Sequence, residues 1–244
     1  PYASPSVRLF ARELGVDPYT SNPQIEDRLD AFAWSYLAGS AGTSLVVGAL
    51  TGGASVVLSK SRQINKLVYD LSPEDVKKRN ADELQKIGIE SDTARNFLRN
   101  STFTPTLQTA VVDQITENWQ ADGWKDLLRY LRYVDSEIEA RFFVNALRLV
   151  ATQPSENKVI SVFLVGVTPA FMLNDGTVLV PAPVDYVYYN DKFKALLGEP
   201  QLRGKTVQLA IAGKMSSEAE RAVAARGWNA MTGVSFQGVA QYAQ

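Results

Sequence analysis

The 244-residue chain contains no histidine and no cysteine, and both absences restrict its chemistry. Without cysteine, disulfides, thiolate nucleophiles and cysteine-based metal sites are impossible. Without histidine, the commonest general base near neutral pH and the commonest zinc ligand are missing. Catalysis would have to use carboxylates, lysine, tyrosine, hydroxyl groups or a bound cofactor. Because no catalytic, cofactor or metal-site motif is present, the sequence favours a binding protein over an enzyme and predicts no cofactor and no metal.

A strong excess of charge of one sign is also absent, since the net charge is −1 and neither half of the chain is markedly basic. Nucleic-acid binding draws much of its affinity from clustered lysine and arginine, so we expect no nucleic-acid partner. Hydrophobic residues make up 45% and charged residues 21% of the chain, the ordinary balance of a globular protein. A chain of this length can bury a sizeable core without disulfides, so we expect it to be folded over most of its length.

Capping signals and apolar periodicity predict helices through residues 1–153. A capping residue followed by proline, as at Ser72-Pro73, is typical of a helix start. Near the end of this part, Ser136 and Glu139 form a capping box that is followed by a broad apolar face. The first part of the chain is therefore predicted to be a mainly helical domain.

The pattern changes after residue 157. The segments 158–167 and 205–213 are apolar, rich in β-branched residues and short enough to be strands, and residues 174–176 (Asn-Asp-Gly) signal a tight hairpin. Predicted helices alternate with these strands and suggest a βαβ-like unit. We therefore predict an α+β fold, in which the helical part packs with a small α/β domain, residues 157–244, that contains a short mixed sheet.

Residues 38–58 carry no charge and are rich in glycine, alanine, serine and threonine. The segment is long enough to span a bilayer, and Gly48 and Gly52 have the spacing that lets helices approach closely in lipid. One interpretation is a lipid-inserting or self-associating hairpin. The other, which the composition favours, is a hairpin buried inside the helical part, because small and hydroxyl side chains contribute little apolar transfer free energy.

A predicted strand-to-helix turn at Lys214 is a candidate anion site. Backbone N–H groups at the helix start, together with Lys214, Ser216 and Ser217, could hold a phosphate or a carboxylate. A P-loop would need glycine at 208 and serine or threonine at 215, where this chain has Gln208 and Met215. The favoured alternative is an ordinary turn with a solvated lysine.

An aromatic and acidic cluster lies before this turn and consists of Asp185, Tyr186, Tyr188, Tyr189 and Asp191. On a strand, Tyr186 and Tyr188 would share one face. Exposed tyrosines beside carboxylates suit recognition of a sugar or a peptide. The favoured alternative packs the rings between sheet and helix, since tyrosine is a good strand former.

Two tryptophans, Trp119 and Trp124, flank a turn that contains glycine. Tryptophan in an amphipathic helix usually faces the protein interior. We therefore expect both rings to anchor the core.

The block DLSPEDVKKRNADELQKIGIESDTARNFLRNSTFTPTLQTAVVD, residues 70–113, resembles a segment of a family of uncharacterised bacterial proteins. The shorter landmarks EIEARFF, PVDYV and ARGW are similar to later parts of the same proteins, so the resemblance covers about two-thirds of the chain. These proteins often carry export signals and have no assigned activity. The resemblance implies a bacterial protein that is exported or periplasmic, with a cytoplasmic location as the alternative, and it supplies no catalytic residues.

Two shorter likenesses concern single segments. LRGKTVQLAIAGKMSSEAERAVAARG, residues 202–227, is similar to the first strand and helix of BRCT phosphopeptide-binding modules, although Trp228 stands where that family usually has a second glycine. SPSVRLFARELGVD, residues 4–17, resembles the start of the small subunit-binding domain of 2-oxoacid dehydrogenase acyltransferases. That likeness stops at Asp17, where the family would continue with a glycine-rich loop.

The sequence as a whole favours a non-enzymatic binding or structural protein of bacteria, associated with the cell envelope, whose partner is a protein or a small molecule. The first alternative is a membrane-active or oligomerising protein that uses residues 38–58. The second alternative is a carboxylate-based enzyme with a site near Asp185 and Asp191.

Overall fold

The structure, a computed structural model, describes residues 3–37, 67–154 and 156–236. The segment 38–58, with Gly48 and Gly52, lies outside the described residues, so both interpretations of it stay predictions. Among the helices of the described ranges, none combines the length and the apolar character that a membrane span requires.

Helices make up most of the described chain before residue 151. They are α1 (Pro5–Leu14), α2 (Pro23–Leu37), α3 (Pro73–Lys86), α4 (Ser91–Leu98), α5 (Pro105–Glu117), α6 (Trp124–Leu131) and α7 (Glu137–Val150). The predicted caps Ser72 and Ser136 are confirmed, because their hydroxyl groups accept a backbone N–H group at the start of α3 and α7. Ser4 and Thr104 cap α1 and α5 in the same way. Proline is the first residue of α1, α3 and α5. The N–H group that proline lacks would have no acceptor within the helix at this position, so no hydrogen bond is lost.

Strands follow α7 and alternate with two further helices. They are β1 (Val159–Val165), β2 (Thr168–Leu173), β3 (Val178–Ala182), β4 (Tyr186–Val187), α8 (Asp191–Gly198), β5 (Val207–Ile211), β6 (Lys214–Met215), α9 (Ser217–Ala225) and β7 (Asn229–Met231). One sheet has the order β1-β2-β3-β5-β7 and a smaller ladder pairs β4 with β6. The pairs β1–β2 and β2–β3 are antiparallel, whereas β3–β5 and β5–β7 are parallel. The α+β fold with a short mixed sheet and a βαβ unit is therefore as predicted.

The side chains of the main sheet alternate between two hydrophobic clusters. Phe171 and Leu179 pack into the cluster that also contains the buried side chains of α6 and α7. Val178, Val180 and Leu209 pack into a second cluster with the buried side chains of α8 and α9. Successive strand residues point to opposite faces, so the sheet is the middle of three layers.

The helical part and the sheet are joined by direct contacts. The ring centroids of Trp124 on α6 and Phe171 on β2 lie 6.2 Å apart. The backbone of Asp122 donates to the carbonyl oxygen of Ile160 at 3.0 Å and accepts from the N–H group of Val162 at 2.8 Å. One hydrophobic cluster therefore extends across the predicted boundary near residue 153.

The prediction for the two tryptophans is half right. Trp124 is buried with 4% of its surface exposed, whereas Trp119 is 55% exposed. The prediction for Trp119 is wrong because α5 already ends at Glu117, so that Trp119 lies in the following turn and not on an apolar helix face.

Candidate functional site

The carboxyl ends of β3, β5 and β7 lie at one edge of the sheet, because these strands are parallel. The segments that continue from this edge are 183–190, 212–216 and 232–236. Open parallel sheets generally bind ligands beyond the carboxyl ends of their strands. Most of the predicted tyrosine cluster and of the predicted anion site lies in these segments, whereas Asp191 and Ser217 are the first residues of α8 and α9.

The small β4–β6 ladder joins the two predicted sites. Tyr186 pairs with Lys214 in this parallel ladder. The N–H groups of Gly213, Lys214 and Ser216 donate to carbonyl oxygens within 184–187 at 2.9, 2.9 and 3.0 Å. The structure thus brings together two features that the sequence treats separately.

Tyr186 and Tyr188 form an exposed aromatic pair. Their ring centroids lie 4.5 Å apart, so the two side chains share a face as predicted. Tyr186 is 41% exposed and Tyr188 is 64% exposed. Asp185 and Lys214 are also exposed, and neither makes an ion pair within the described ranges. We call these four residues, Asp185, Tyr186, Tyr188 and Lys214, the tyrosine surface.

Tyr189 has a different environment from the exposed pair. It is half-buried and packs against the hydrophobic cluster that contains α8 and α9. Lys194 Nζ lies 5.1 Å from the Tyr189 ring centroid and 3.2 Å from the carboxylate of Asp191. The alternative in which the rings pack between sheet and helix is therefore correct for Tyr189 and wrong for Tyr186 and Tyr188, which are exposed.

The predicted anion-site residues have structural partners of their own. Ser216 Oγ accepts the N–H group of Ala219 at 3.2 Å and caps α9. Ser217 is the first residue of α9 and is exposed. Because the N–H groups of Lys214 and Ser216 already donate to β4 and its flanks, an anion would have to use the Lys214 ammonium group and the remaining helix N–H groups. That anion site stays a prediction.

Gly213 lies where the two segments of the tyrosine surface approach most closely. A Cβ atom at this position would lie 1.9 Å from the carbonyl oxygen of Asp185. We therefore expect Gly213→Ala to separate β4 from β6 and to lower the free energy of unfolding by about 2 kcal/mol. Urea unfolding and the near-ultraviolet circular dichroism of the tyrosines measure the two effects.

The control for Gly213→Ala is Gly198→Ala, since a Cβ atom at residue 198 would have no neighbour within 4 Å. This control should leave both the stability and the spectrum nearly unchanged. Equal stabilities and equal spectra for the two variants would contradict the close approach.

A cavity of about 560 Å³ lies elsewhere, between the loop before α2 and the first half of α7. Among the predicted site residues that the structure describes, none lines this cavity. One of its lining residues is Glu137, an acid in the first turn of α7 that the sequence pattern does not mark as a site residue. The polar run at 20–22 gives a local signal of a turn, but the partner of that run across the cavity is set by tertiary packing. Within the described ranges no cluster of acidic side chains is suited to hold a metal ion.

The fold and the tyrosine surface define an α+β protein with an exposed aromatic pair at the carboxyl edge of a mixed sheet. No family model, curated protein or solved structure matches this chain. The resemblances of residues 70–113 and 202–227 therefore stay predictions, and function has to be inferred from the geometry of the site.

Proposed function

We propose that this chain is a non-enzymatic binding protein of bacteria that holds a protein partner on the tyrosine surface. The observation that carries the proposal is the exposed ring pair of Tyr186 and Tyr188, with centroids 4.5 Å apart. Tyrosine is enriched at protein interfaces because its rigid ring supplies a large contact area at a low cost in conformational entropy. The bacterial origin and the envelope location are taken from the sequence resemblance.

The shape of the tyrosine surface favours a protein over a small molecule. Small ligands bind in concave pockets that bury most of their surface, whereas Tyr188 is 64% exposed. The cavity of about 560 Å³ is lined by other residues. A projecting aromatic pair instead suits a partner that receives the two rings in a depression of its own surface.

The charges beside the rings indicate what this partner presents. Asp185 contributes a negative charge and Lys214 a positive charge, and both are exposed. Complementary charges across an interface increase specificity and the association rate. The partner surface is therefore an apolar depression with one basic and one acidic side chain at its rim.

The contacts of the acids weigh against the alternative of a carboxylate-based enzyme. Asp191 forms an ion pair with Lys194 at the start of α8, where a helix dipole favours a negative charge. Asp185 is exposed, whereas catalytic acids generally lie in a concave pocket that encloses the substrate. Neither residue has the surroundings of a catalytic acid.

The test is site-specific photo-crosslinking in bacterial extract, with benzoylphenylalanine placed at residue 188 of the full chain. We expect a discrete adduct with one protein, which is then identified and purified. The Tyr186→Ala, Tyr188→Ala double variant should bind the purified partner at least tenfold more weakly, because two interface anchors are lost; a tenfold loss is about 1.4 kcal/mol.

Tyr133 provides the matched control because it is a tyrosine that is 67% exposed and lies outside the tyrosine surface. The probe at residue 133 should give no adduct with that protein, and Tyr133→Ala should leave the affinity unchanged. The proposal is wrong if the probe at 188 gives no adduct, or if the double variant binds the partner as tightly as the wild type.

A further inference from the structure

The cavity between the loop before α2 and α7 is a second site, separate from the tyrosine surface. It has a volume of about 560 Å³ and shares no lining residue with that surface. The lining residues are Thr20, Ser21, Asn22, Ile25, Glu137, Ile138, Arg141 and Asn145. Two segments that are far apart in the chain therefore form its walls.

One wall of the cavity is fixed by the carboxylate of Glu137. This carboxylate accepts the Thr20 hydroxyl at 3.0 Å, the Ser21 N–H group at 2.7 Å and the Ser21 hydroxyl. It also accepts Nε and Nη2 of Arg141 at 2.9 and 2.7 Å. Burial raises the pKa of Glu137, but the bonds from Ser21 and Arg141 outweigh it and hold the pKa below the ordinary value. The carboxylate is therefore charged at neutral pH, and its donors are already in place.

The loop that forms the opposite wall is held by a second carboxylate. Asp17 is fully buried and accepts the hydroxyl groups of Thr104 and Thr106 at 2.6 and 2.7 Å. It also accepts the N–H group of Tyr19 at 3.0 Å. A cavity with fixed walls loses little entropy when a ligand binds, so these bonds make it a preorganised site.

The charges at the cavity favour a neutral ligand. Arg141 Nη2 lies 2.7 Å from the charged carboxylate of Glu137, which balances the cation and would repel an anionic ligand. A cationic ligand would have to displace the donors that already satisfy Glu137. Neither a free anion nor a free cation therefore fits the site.

The remaining groups at the cavity supply hydrogen bonds and an apolar rim. In the part of the chain that the structure describes, no acceptor bonds Nη1 of Arg141. Arg148 donates to Asn145 Oδ1 at 2.9 Å and fixes the orientation of that amide. Ile138 stands at the rim with 84% of its surface exposed, and Ile25 also lines the cavity. Such a site offers N–H donors and amide groups beside two aliphatic side chains.

We propose that this cavity binds a neutral, N-acetylated sugar. The carbonyl oxygen of the acetamido group accepts from Arg141 Nη1, and its methyl group packs against Ile25 and Ile138. The hydroxyl groups of the sugar bond to the Asn22 amide and to the hydroxyl groups of Thr20 and Ser21. An uncharged ligand that carries an amide, a methyl group and hydroxyls is complementary to each of these features, and a charged ligand is not.

The test is calorimetric titration of the full chain with N-acetylglucosamine. We expect saturable binding with a Kd on the order of 1 mM, the range for a ligand with few atoms. Ile138→Ser should weaken binding about fivefold, because it removes one apolar contact, and should leave the Tm without ligand unchanged. Glucose, which lacks the acetamido group, should bind more weakly than N-acetylglucosamine, and acetate should not bind.

Two control variants test whether a loss of sugar binding is specific to the cavity. Ile160→Ser changes another exposed isoleucine, 48% exposed on β1, and should bind the sugar like the wild type. The Tyr186→Ala, Tyr188→Ala variant should also bind it normally, so the two proposals fail independently. Absence of saturable binding, wild-type affinity in Ile138→Ser, or equal affinity for glucose or acetate would each overturn the assignment.

Discussion

Gly123→Ala is expected to lower the free energy of unfolding by about 4 kcal/mol, the largest effect of a single methyl group that we predict for this chain. Gly123 precedes α6 and has φ +91°, a left-handed conformation that side chains disfavour. A Cβ atom there would also lie 1.9 Å from the carbonyl oxygen of Val162 on β1. The variant must therefore push α6 away from the sheet, where Trp124 contacts Phe171.

Two other glycines separate the contributions to this effect. Gly176 has φ +86° but no neighbour within 4 Å of an added Cβ, so Gly176→Ala measures the backbone cost alone, about 1 kcal/mol. Gly198 has an ordinary φ and an open surrounding, so Gly198→Ala should be nearly neutral. Urea unfolding of the three variants gives the comparison, and equal losses for residues 123 and 176 would refute a close approach of α6 to β1.

Asp17→Ala is expected to cost about 3 kcal/mol, because it leaves buried donors without an acceptor. The donors are the hydroxyl groups of Thr104 and Thr106 and the N–H group of Tyr19. These bonds hold the loop after α1 against the start of α5. Asp17→Asn keeps an acceptor and the size of the side chain, so it should cost less than about 1 kcal/mol. Urea unfolding measures both variants, and equal losses for alanine and asparagine would contradict the bonding role.

The same aspartate should make stability depend on pH in a defined direction. Burial raises the pKa of Asp17, and the hydrogen bonds from Thr104 and Thr106 only partly offset it. A raised pKa in the folded state means that the protonated form favours folding, so this contribution is present in acid and is lost as the pH rises through the folded pKa. As the pH rises from about 4, the ordinary pKa of an aspartate, the stability of the wild type should therefore fall relative to Asp17→Asn.

The difference in stability between the wild type and Asp17→Asn reports the contribution of Asp17 alone. Glu137 has a lowered pKa and an opposite effect, since its contribution is lost as the pH falls, but it is present in both proteins and cancels. Urea unfolding at several pH values gives the two curves. Parallel curves would show that the pKa of Asp17 does not change on folding.

Much of the secondary structure follows from interactions between near neighbours in the chain. Ser72, Thr104 and Ser136 each accept an N–H group three residues further on, so the helix starts can be predicted from the sequence. The hairpin at 174–176 and the strand–helix–strand order of the last part depend on local signals in the same way. The α+β class is therefore determined by the sequence pattern alone.

The candidate sites depend on contacts between residues that are far apart in the chain. Tyr186 and Lys214 become neighbours through the β4–β6 ladder. Each of these strands has only two residues, which is too short to give a recognisable pattern in the sequence. Glu137 accepts the N–H group of Ser21 in the wall of the cavity, a bond between residues that are more than 100 positions apart in the chain. The exposure of Trp119 depends equally on where α5 ends.

The sequence by itself determined which chemistry is impossible, since a chain without imidazole or thiol groups lacks them in any fold. It also determined the order of helices and strands, because capping and apolar periodicity act within a few residues. Only the tertiary structure decided that two tyrosines stay exposed beside a lysine, and that a polar loop and a helix line an open cavity. The physical reason is that burial and pairing are properties of surfaces that meet in space, and folding brings them together from distant parts of the chain.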